Sequence, residues 1–146
     1  IAAYIKDKHG LVIGEHTAEN IKMKIGTALK VEKPAEMDVR GRDVASGMPK
    51  QITVNENEIE EAIHDTLEQI LTATINVLET VPPELASDII DRGVMLTGGT
   101  ALLKGIDKLF SDRLKVPVVV SQSPLDNVAK GAGEMLERMQ KTDKKK

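Results

Sequence analysis

Residues 94–107 read VMLTGGTALLKGID, and the fold turns on them. An apolar run ends at Thr97, Gly98 and Gly99 follow, and helix-like spacing resumes within three residues. A strand that stops at Thr-Gly-Gly-Thr before a helix puts backbone N–H groups at the carboxyl edge of a sheet, where open α/β folds bind ligands. Glycine there lets a flat or charged group lie against the backbone, and it equally suits a tight turn with no ligand. The stretch is no dinucleotide fingerprint, because GxGxxG is absent, and the chain has no GxxxxGK(S/T) phosphate loop. Taken alone, the tight turn is the stronger reading.

On the C-terminal side, the spacing predicts a helix to about Leu114 and a strand from Val116 to Ser121. Ser123, Pro124 and Asp126 then open a last helix as cap, N1 proline and N3 acid. It runs to about Gln140 and leaves the polar tail KTDKKK. On the N-terminal side, Pro82 and Pro83 end one helix and start a turn of another over Glu84 to Ile90. Before them Ile59, Ile63, Leu67, Ile70, Leu71, Ile75 and Leu78 recur at spacings of three and four. That is the apolar stripe of a long helix, which Asn55 or Asn57 can cap. Alternating strand and helix in this half implies a parallel strand pair with a right-handed crossover.

The first half is mixed. Residues 1–9 place Ile1, Tyr4 and Ile5 on one helical face, with Gly10 as terminator. In HTAENIKMKIG, residues 16–26, Thr17 reads as an N-cap, Ala18 to Ile25 as a short helix and Gly26 as its stop. Strand-like runs near 36–42 and 50–54 flank Ser46, Gly47 and Pro49, which makes a hairpin. The expectation is an α/β domain with a smaller α+β neighbour, the seam near residue 57.

Composition narrows the function. About 40% of the 146 residues are hydrophobic, yet Tyr4 and Phe110 are the only aromatics, so the core must be aliphatic. A net charge of −3 and the lack of stacking aromatics argue against a nucleic-acid binder. With no cysteine, disulfides and thiolate metal sites are excluded. No apolar run approaches the roughly 18 residues of a membrane span, and no secretory signal is visible. The chain opens on Ile1 in what reads as mid-helix, and is expected to be a piece of something longer.

Candidate chemistry is sparse. Glu19 and Lys22 share a helix face, either as a solvated ion pair or as ligands for a ribose and its base. His9, His16 and His64 have no evident nucleophile beside them, and no HExxH-like spacing exists. Glu56, Glu58, Glu60 and Glu61 cluster where a helix macrodipole favours acids, and that account suffices at this level. The methionines read as packing. Lys141, Lys144, Lys145 and Lys146 follow Met135, Leu136 and Met139, a pattern that suits either a solvated terminus or an anionic lipid surface.

Three stretches carry more together than apart: GEHTAENIKMKIG (14–26), VPPELASDIIDRGVMLTGGTALLKGIDKLF (81–110) and SPLDNVAKGAG (123–133). In order and spacing they resemble the second half of the MreB-type bacterial actins, and the likeness covers essentially the whole chain. The resemblance implies the actin/Hsp70-like nucleotide-binding superfold. Residues 1–57 would form the small outer subdomain of the second lobe, 58–140 part of its large α/β subdomain, and 141–146 a basic tail. It further implies ATP or ADP with Mg²⁺ between two lobes. Gly98, Gly99, Thr100, Ala101 and Leu102 would close over the nucleotide, and Glu19, Asn20, Ile21 and Lys22 would hold ribose and base. Thr100 stands where many relatives have a third glycine, a change that actin itself tolerates. The phosphate loops and catalytic acids belong to the other lobe, so no catalytic residue or metal ligand falls on this chain. Alone it should not hydrolyse ATP. The expected partners are further copies in a head-to-tail filament that sets cell shape, in the cytoplasm at the inner face of the membrane, with an anionic lipid surface at the Lys-rich tail and no nucleic acid. A sugar-kinase or chaperone ATPase of the same superfold, or a non-catalytic interaction module, are the alternatives.

Overall fold

The N-terminal part of the chain is a helix-flanked antiparallel sheet, and each of its boundaries has a local cause. The structure, a computed structural model, describes residues 1–143, the side chains of 142 and 143 excepted, so Lys144, Lys145 and Lys146 and the lipid reading of the tail lie outside the described residues. Helix α1 (Ala2–His9) stops at Gly10, whose φ of 63° and ψ of 27° place it in the left-handed region. Strand β1 (Leu11–Val12) follows, then helix α2 (Glu15–Ile25), strand β2 (Glu36–Asp43) and strand β3 (Pro49–Asn55). The sheet order is β1-β2-β3, antiparallel throughout, with Val39 opposite Ile52 and Met37 opposite Val54. Asp43 closes the hairpin: its carboxylate accepts from Ser46 N and Ser46 Oγ, both at 2.9 Å, and from Lys50 Nζ at 3.0 Å. Those contacts, the Ser46 backbone bond first, hold its pKa down at about 2.

Helix α2 begins three residues earlier than the Thr17 cap predicts. Gly14 is extended (φ −81°, ψ 164°), and its carbonyl accepts from Ala18 N at 3.1 Å, so the backbone caps the helix without a side chain. Gly26 stops α2 as expected, but in extended geometry (φ −69°, ψ 133°) rather than a left-handed one. Its glycine identity has another cause. A Cβ there would stand 2.2 Å from the Lys22 carbonyl oxygen and 2.8 Å from Leu103 Cδ1.

Helix α3 (Glu56–Glu79, 24 residues) is capped by Asn55, which accepts from Asn57 N and Glu58 N while Glu58 reaches back to Asn55 N in a capping box. Asn57 has a different task, pairing with both backbone groups of Val31. Each of the four acids at this helix start has a partner beyond the macrodipole. Glu56 meets Lys104, Glu58 meets His9, Glu60 meets His64, and Glu61 meets Tyr4 and Lys8.

Helix α4 (Pro83–Arg92) carries its proline at the first helical position, and Gly93 ends it. Strand β4 (Val94–Leu96) leads into a 3-10 turn (Gly99–Leu102), helix α5 (Ile106–Leu114), strand β5 (Val118–Val120) and helix α6 (Asn127–Asp143). Strands β4 and β5 pair in parallel, Val94 with Val118 and Leu96 with Val120, as the alternating pattern predicts. Helix spacing does not resume directly after the glycines. Leu103 turns extended (φ −62°, ψ 128°) and drops its side chain into the core, and Gly105, left-handed at φ 76°, restarts the helix. The last helix also starts later than its capping pattern predicts. Ser123 accepts through its carbonyl from Asp126 N, making a turn, and Asp126 O receives Lys130 N at 2.9 Å. Pro124 is buried in that turn, and its carbonyl accepts from Gly98 N at 2.8 Å.

Two apolar clusters result. One gathers Ile5, Leu11, Ile21, Ile25, Val39, Val54 and Ile59; the other gathers Ala28, Leu67, Leu71, Leu103, Ile106, Phe110 and Val118. Helix α3 enters both. Of its stripe, Ile59, Leu67 and Leu71 are buried, Ile63 packs partly against the second cluster, and Ile70 is exposed. Fully burying an aliphatic side chain of this size contributes about 1.5–3 kcal/mol, so these clusters are the main favourable term. Of the methionines, Met37 packs against the first cluster, as expected, whereas Met23, Met48, Met95, Met135 and Met139 are exposed.

Candidate functional site

Where α2 ends beside the 3-10 turn, the two halves enclose a cavity of about 400 Å³, within the range of small-molecule sites. One wall is the outer face of α2, with Glu19, Lys22, Met23 and Lys24; the other is Gly99, Thr100 and Leu102, with Leu103, Lys104, Glu56, Gly26 and Leu125 completing the lining.

The walls are joined by backbone. Thr27 and Lys104 form an isolated parallel bridge, and Ala28 N donates to Lys104 O at 2.8 Å. Thr27, 1% exposed, places its hydroxyl on Leu29 O at 2.8 Å. Such satisfied buried polar groups fix the loop that leaves α2.

The sequence singles out residues on both walls, and the structure brings part of that set together. Glu19, Lys22, Gly99, Thr100 and Leu102 line the cavity. Ile21 is 0% exposed within the first core cluster and Ala101 is buried beside the 3-10 turn, so neither faces the cavity; Asn20 and Gly98 are also outside the lining. Gly98 has φ 84° and ψ 171°, a backbone state confined essentially to glycine, and a Cβ there would meet nothing within 4 Å. Gly99 is ordinary in φ, and a Cβ on it would touch only Leu125 Cδ2 at 3.5 Å.

Charge in the cavity is mixed with a cationic excess: Lys22, Lys24 and Lys104 against Glu19 and Glu56. Lys22 Nζ lies 2.8 Å from Glu19 Oε2, a half-buried side chain meeting an exposed one, so this pair adds little stability. Lys104 Nζ lies 2.8 Å from Glu56 Oε1, and Ala35 N donates to Glu56 Oε2 at 3.0 Å. The lysine bond first, and then the backbone N–H, hold the Glu56 carboxyl below its ordinary pKa against the cost of its burial. Lys24 has no ion-pair partner among the described residues. Met23, Leu102 and Leu125, each more than half exposed, give the mouth an apolar rim. The cavity thus joins an apolar rim to an excess of one lysine charge. No group of three or more His, Cys, Asp or Glu side chains able to hold a metal occurs among the described residues.

Sequence reasoning missed Glu56, Lys104, Lys24, Met23 and Leu125 as lining groups. All of these but Glu56 lie inside the stretches that carry the resemblance, and Glu56 and Lys104, 48 residues apart, give no local signal of their pairing.

Comparison with known proteins agrees with the folding pattern. The family model described as MreB/Mbl protein matches residues 1–144. The chain is 51% identical over 146 residues to the cell shape-determining protein Mbl of Bacillus subtilis (strain 168), covering 100% of this chain and 44% of that protein. It is 47% identical over 137 residues to the cell shape-determining protein MreB of Escherichia coli (strain K12), covering 94% and 40% respectively. The chain thus spans less than half the length of these relatives. Among solved structures, MreB5 of Spiroplasma citri bound to AMPPNP superposes with a TM-score of 0.94 at 33% identity, over 99% of this chain and 44% of that one. The MamK double helical filament superposes with a TM-score of 0.76 at 17% identity, over 92% and 41%, a likeness of fold alone.

Proposed function

The chain belongs to the MreB/Mbl family, and from that premise we propose that it forms part of an ATP-binding, actin-like cytoskeletal protein that polymerises and determines cell shape. Within it, this chain supplies one side of the adenine-nucleotide site. The observation that carries the reading is the single cavity that unites Glu19 and Lys22 with Gly99, Thr100 and Leu102, groups far apart in sequence. The solved MreB5 of Spiroplasma citri, described as bound to AMPPNP and to ADP, supports the choice of ligand.

Most of the lining groups have a task in this proposal. Lys22 and Lys24 attract the anionic ligand. Met23, Leu102 and Leu125 offer apolar surface to the base, and exposed Gly99 lets the ligand approach the main chain. Glu19, itself exposed, accepts from ribose hydroxyls after exchanging its partner Lys22, a swap that costs little because such solvent-reached pairs are weak. The nucleotide, when bound, supplies the phosphoanhydride whose hydrolysis changes filament stability. No proton transfer or metal contact in that step is assigned to this chain. Residues 1–57 and 58–140 act in this reading as two subdomains, each built around one core cluster, with Ile59 reaching from the second into the first and Ala28 from the first into the second. Self-association and a location at the inner face of the membrane complete the proposal. No helix of the described residues is long and apolar enough to cross a membrane.

The test is sedimentation of the full-length protein with ATP, with ADP and with neither, alongside nucleotide affinity of Glu19→Ala. Nucleotide-dependent pelleting, and a clear loss of affinity in the variant, are expected. Equal pelleting in all three conditions, together with unchanged affinity, would falsify the proposal.

A further inference from the structure

Glu56 is 6% exposed, and each oxygen of its carboxylate is committed to a different segment. Oε1 holds Lys104, which directly follows the glycine wall of the cavity; Oε2 holds Ala35 N, in the loop that leaves the α2 wall. The same loop is tied again by Glu56 N to Ala35 O at 3.0 Å and by Asn57 to Val31. Its first residues meet Lys104 through backbone. Three segments therefore converge on one buried carboxylate at the edge of the cavity.

We propose that Glu56 is a positioning residue for the nucleotide site, holding the α2 wall and the glycine wall at the separation a bound nucleotide requires. The inference rests on the site reading above and extends it to a residue that need not touch the ligand. Its physical basis is that the two walls are anchored in different apolar clusters: α2 through Ile21 and Ile25, the glycine wall through Leu103 and Ile106. Any ligand that contacts both walls binds better when their spacing is already fixed, because ordering them at the moment of binding costs affinity. The Glu56 carboxylate fastens the α3 start at once to Lys104, beside the glycine wall, and to the loop that leaves the α2 wall. An amide cannot. Glutamine has one acceptor oxygen, and its NH₂ would face either the Lys104 ammonium or the Ala35 N–H, donor against donor.

The experiment measures ADP and ATP affinity of the full-length protein carrying Glu56→Gln, Lys104→Met, Lys104→Arg, the Glu56→Gln/Lys104→Met double variant, and Glu60→Gln. Glu60 is equally buried but pairs with His64 on its own helix and does not line the cavity, so it controls for the loss of a buried carboxylate. Glu56→Gln and Lys104→Met are each expected to weaken binding about fivefold or more, in line with typical coupling between linked groups. The double variant should be no weaker than the worse single one, Lys104→Arg should retain affinity, and Glu60→Gln should bind as wild type. The Lys104 side chain is 60% exposed, so Lys104→Met keeps the test decisive even where Glu56→Gln fails to fold. Wild-type affinity in Glu56→Gln and Lys104→Met, or losses that multiply in the double variant, overturn this inference alone. Absence of nucleotide binding by the wild type overturns the site reading with it.

Discussion

Gly98 and Gly99 stand side by side for different reasons. Gly98 needs its identity for the backbone: at φ 84° and ψ 171° it reaches back so that its N–H meets Pro124 O. Gly99 needs no special φ and lies open on the cavity wall. Gly98→Ala should therefore cost about 1–3 kcal/mol of stability through strain, read by urea unfolding of the full-length protein. Gly99→Ala should change stability by no more than about 0.5 kcal/mol, yet weaken nucleotide binding, because the new methyl projects into the cavity. An affinity unchanged by Gly99→Ala would remove that glycine from the site. The sequence made the pair visible but not this division of labour, which depends on the carbonyl of Pro124, in a distant turn. Ile21 teaches a related lesson. It sits between two candidate ligands in sequence, and helical geometry turns it into the core.

Among the elements, those written in local chemistry were legible. The Gly10 stop, the hairpin, the proline start of α4 and the long stripe of α3 all follow from residues adjacent to the feature. Helix starts are hidden from the sequence where the cap is backbone: Gly14 caps α2 with no side chain, and Ser123 spends its carbonyl on a turn ahead of α6. For α3 the two asparagines were equivalent on paper and are not in three dimensions. Asn55→Ala removes the acceptor of two N–H groups and should destabilise the protein by about 1 kcal/mol, with the loss seen as faster amide exchange at Asn57 and Glu58. Equal exchange at those amides in wild type and variant would show that the capping box adds nothing.

For the whole molecule, α3 is the member shared by both apolar clusters. Its 24 residues span roughly 36 Å at 1.5 Å per residue, and it buries Ile59 in one cluster and Leu67 and Leu71 in the other. The two halves should consequently unfold together. Leu71→Ala, a truncation at a 0% exposed site, should cost about 2–5 kcal/mol and lower exchange protection at Ile5 and Val39 as well as near the site. Full protection retained in the first cluster would mean that the halves open independently. The order of elements could be read along the chain because strand and helix periods are local. The cavity could not, since it exists only once the Thr27–Lys104 bridge and the Glu56–Lys104 pair bring distant segments together. One further property follows from Tyr4, whose hydroxyl donates to Glu61 at 2.7 Å across the contact of α1 with α3. In a chain with a single tyrosine and no tryptophan, ultraviolet emission comes from that contact, and a carboxylate acceptor quenches it. No aromatic residue lines the cavity, so this chain presents an optically dark surface to a fluorescent base analogue, while a brightening of Tyr4 reports that α1 has parted from α3.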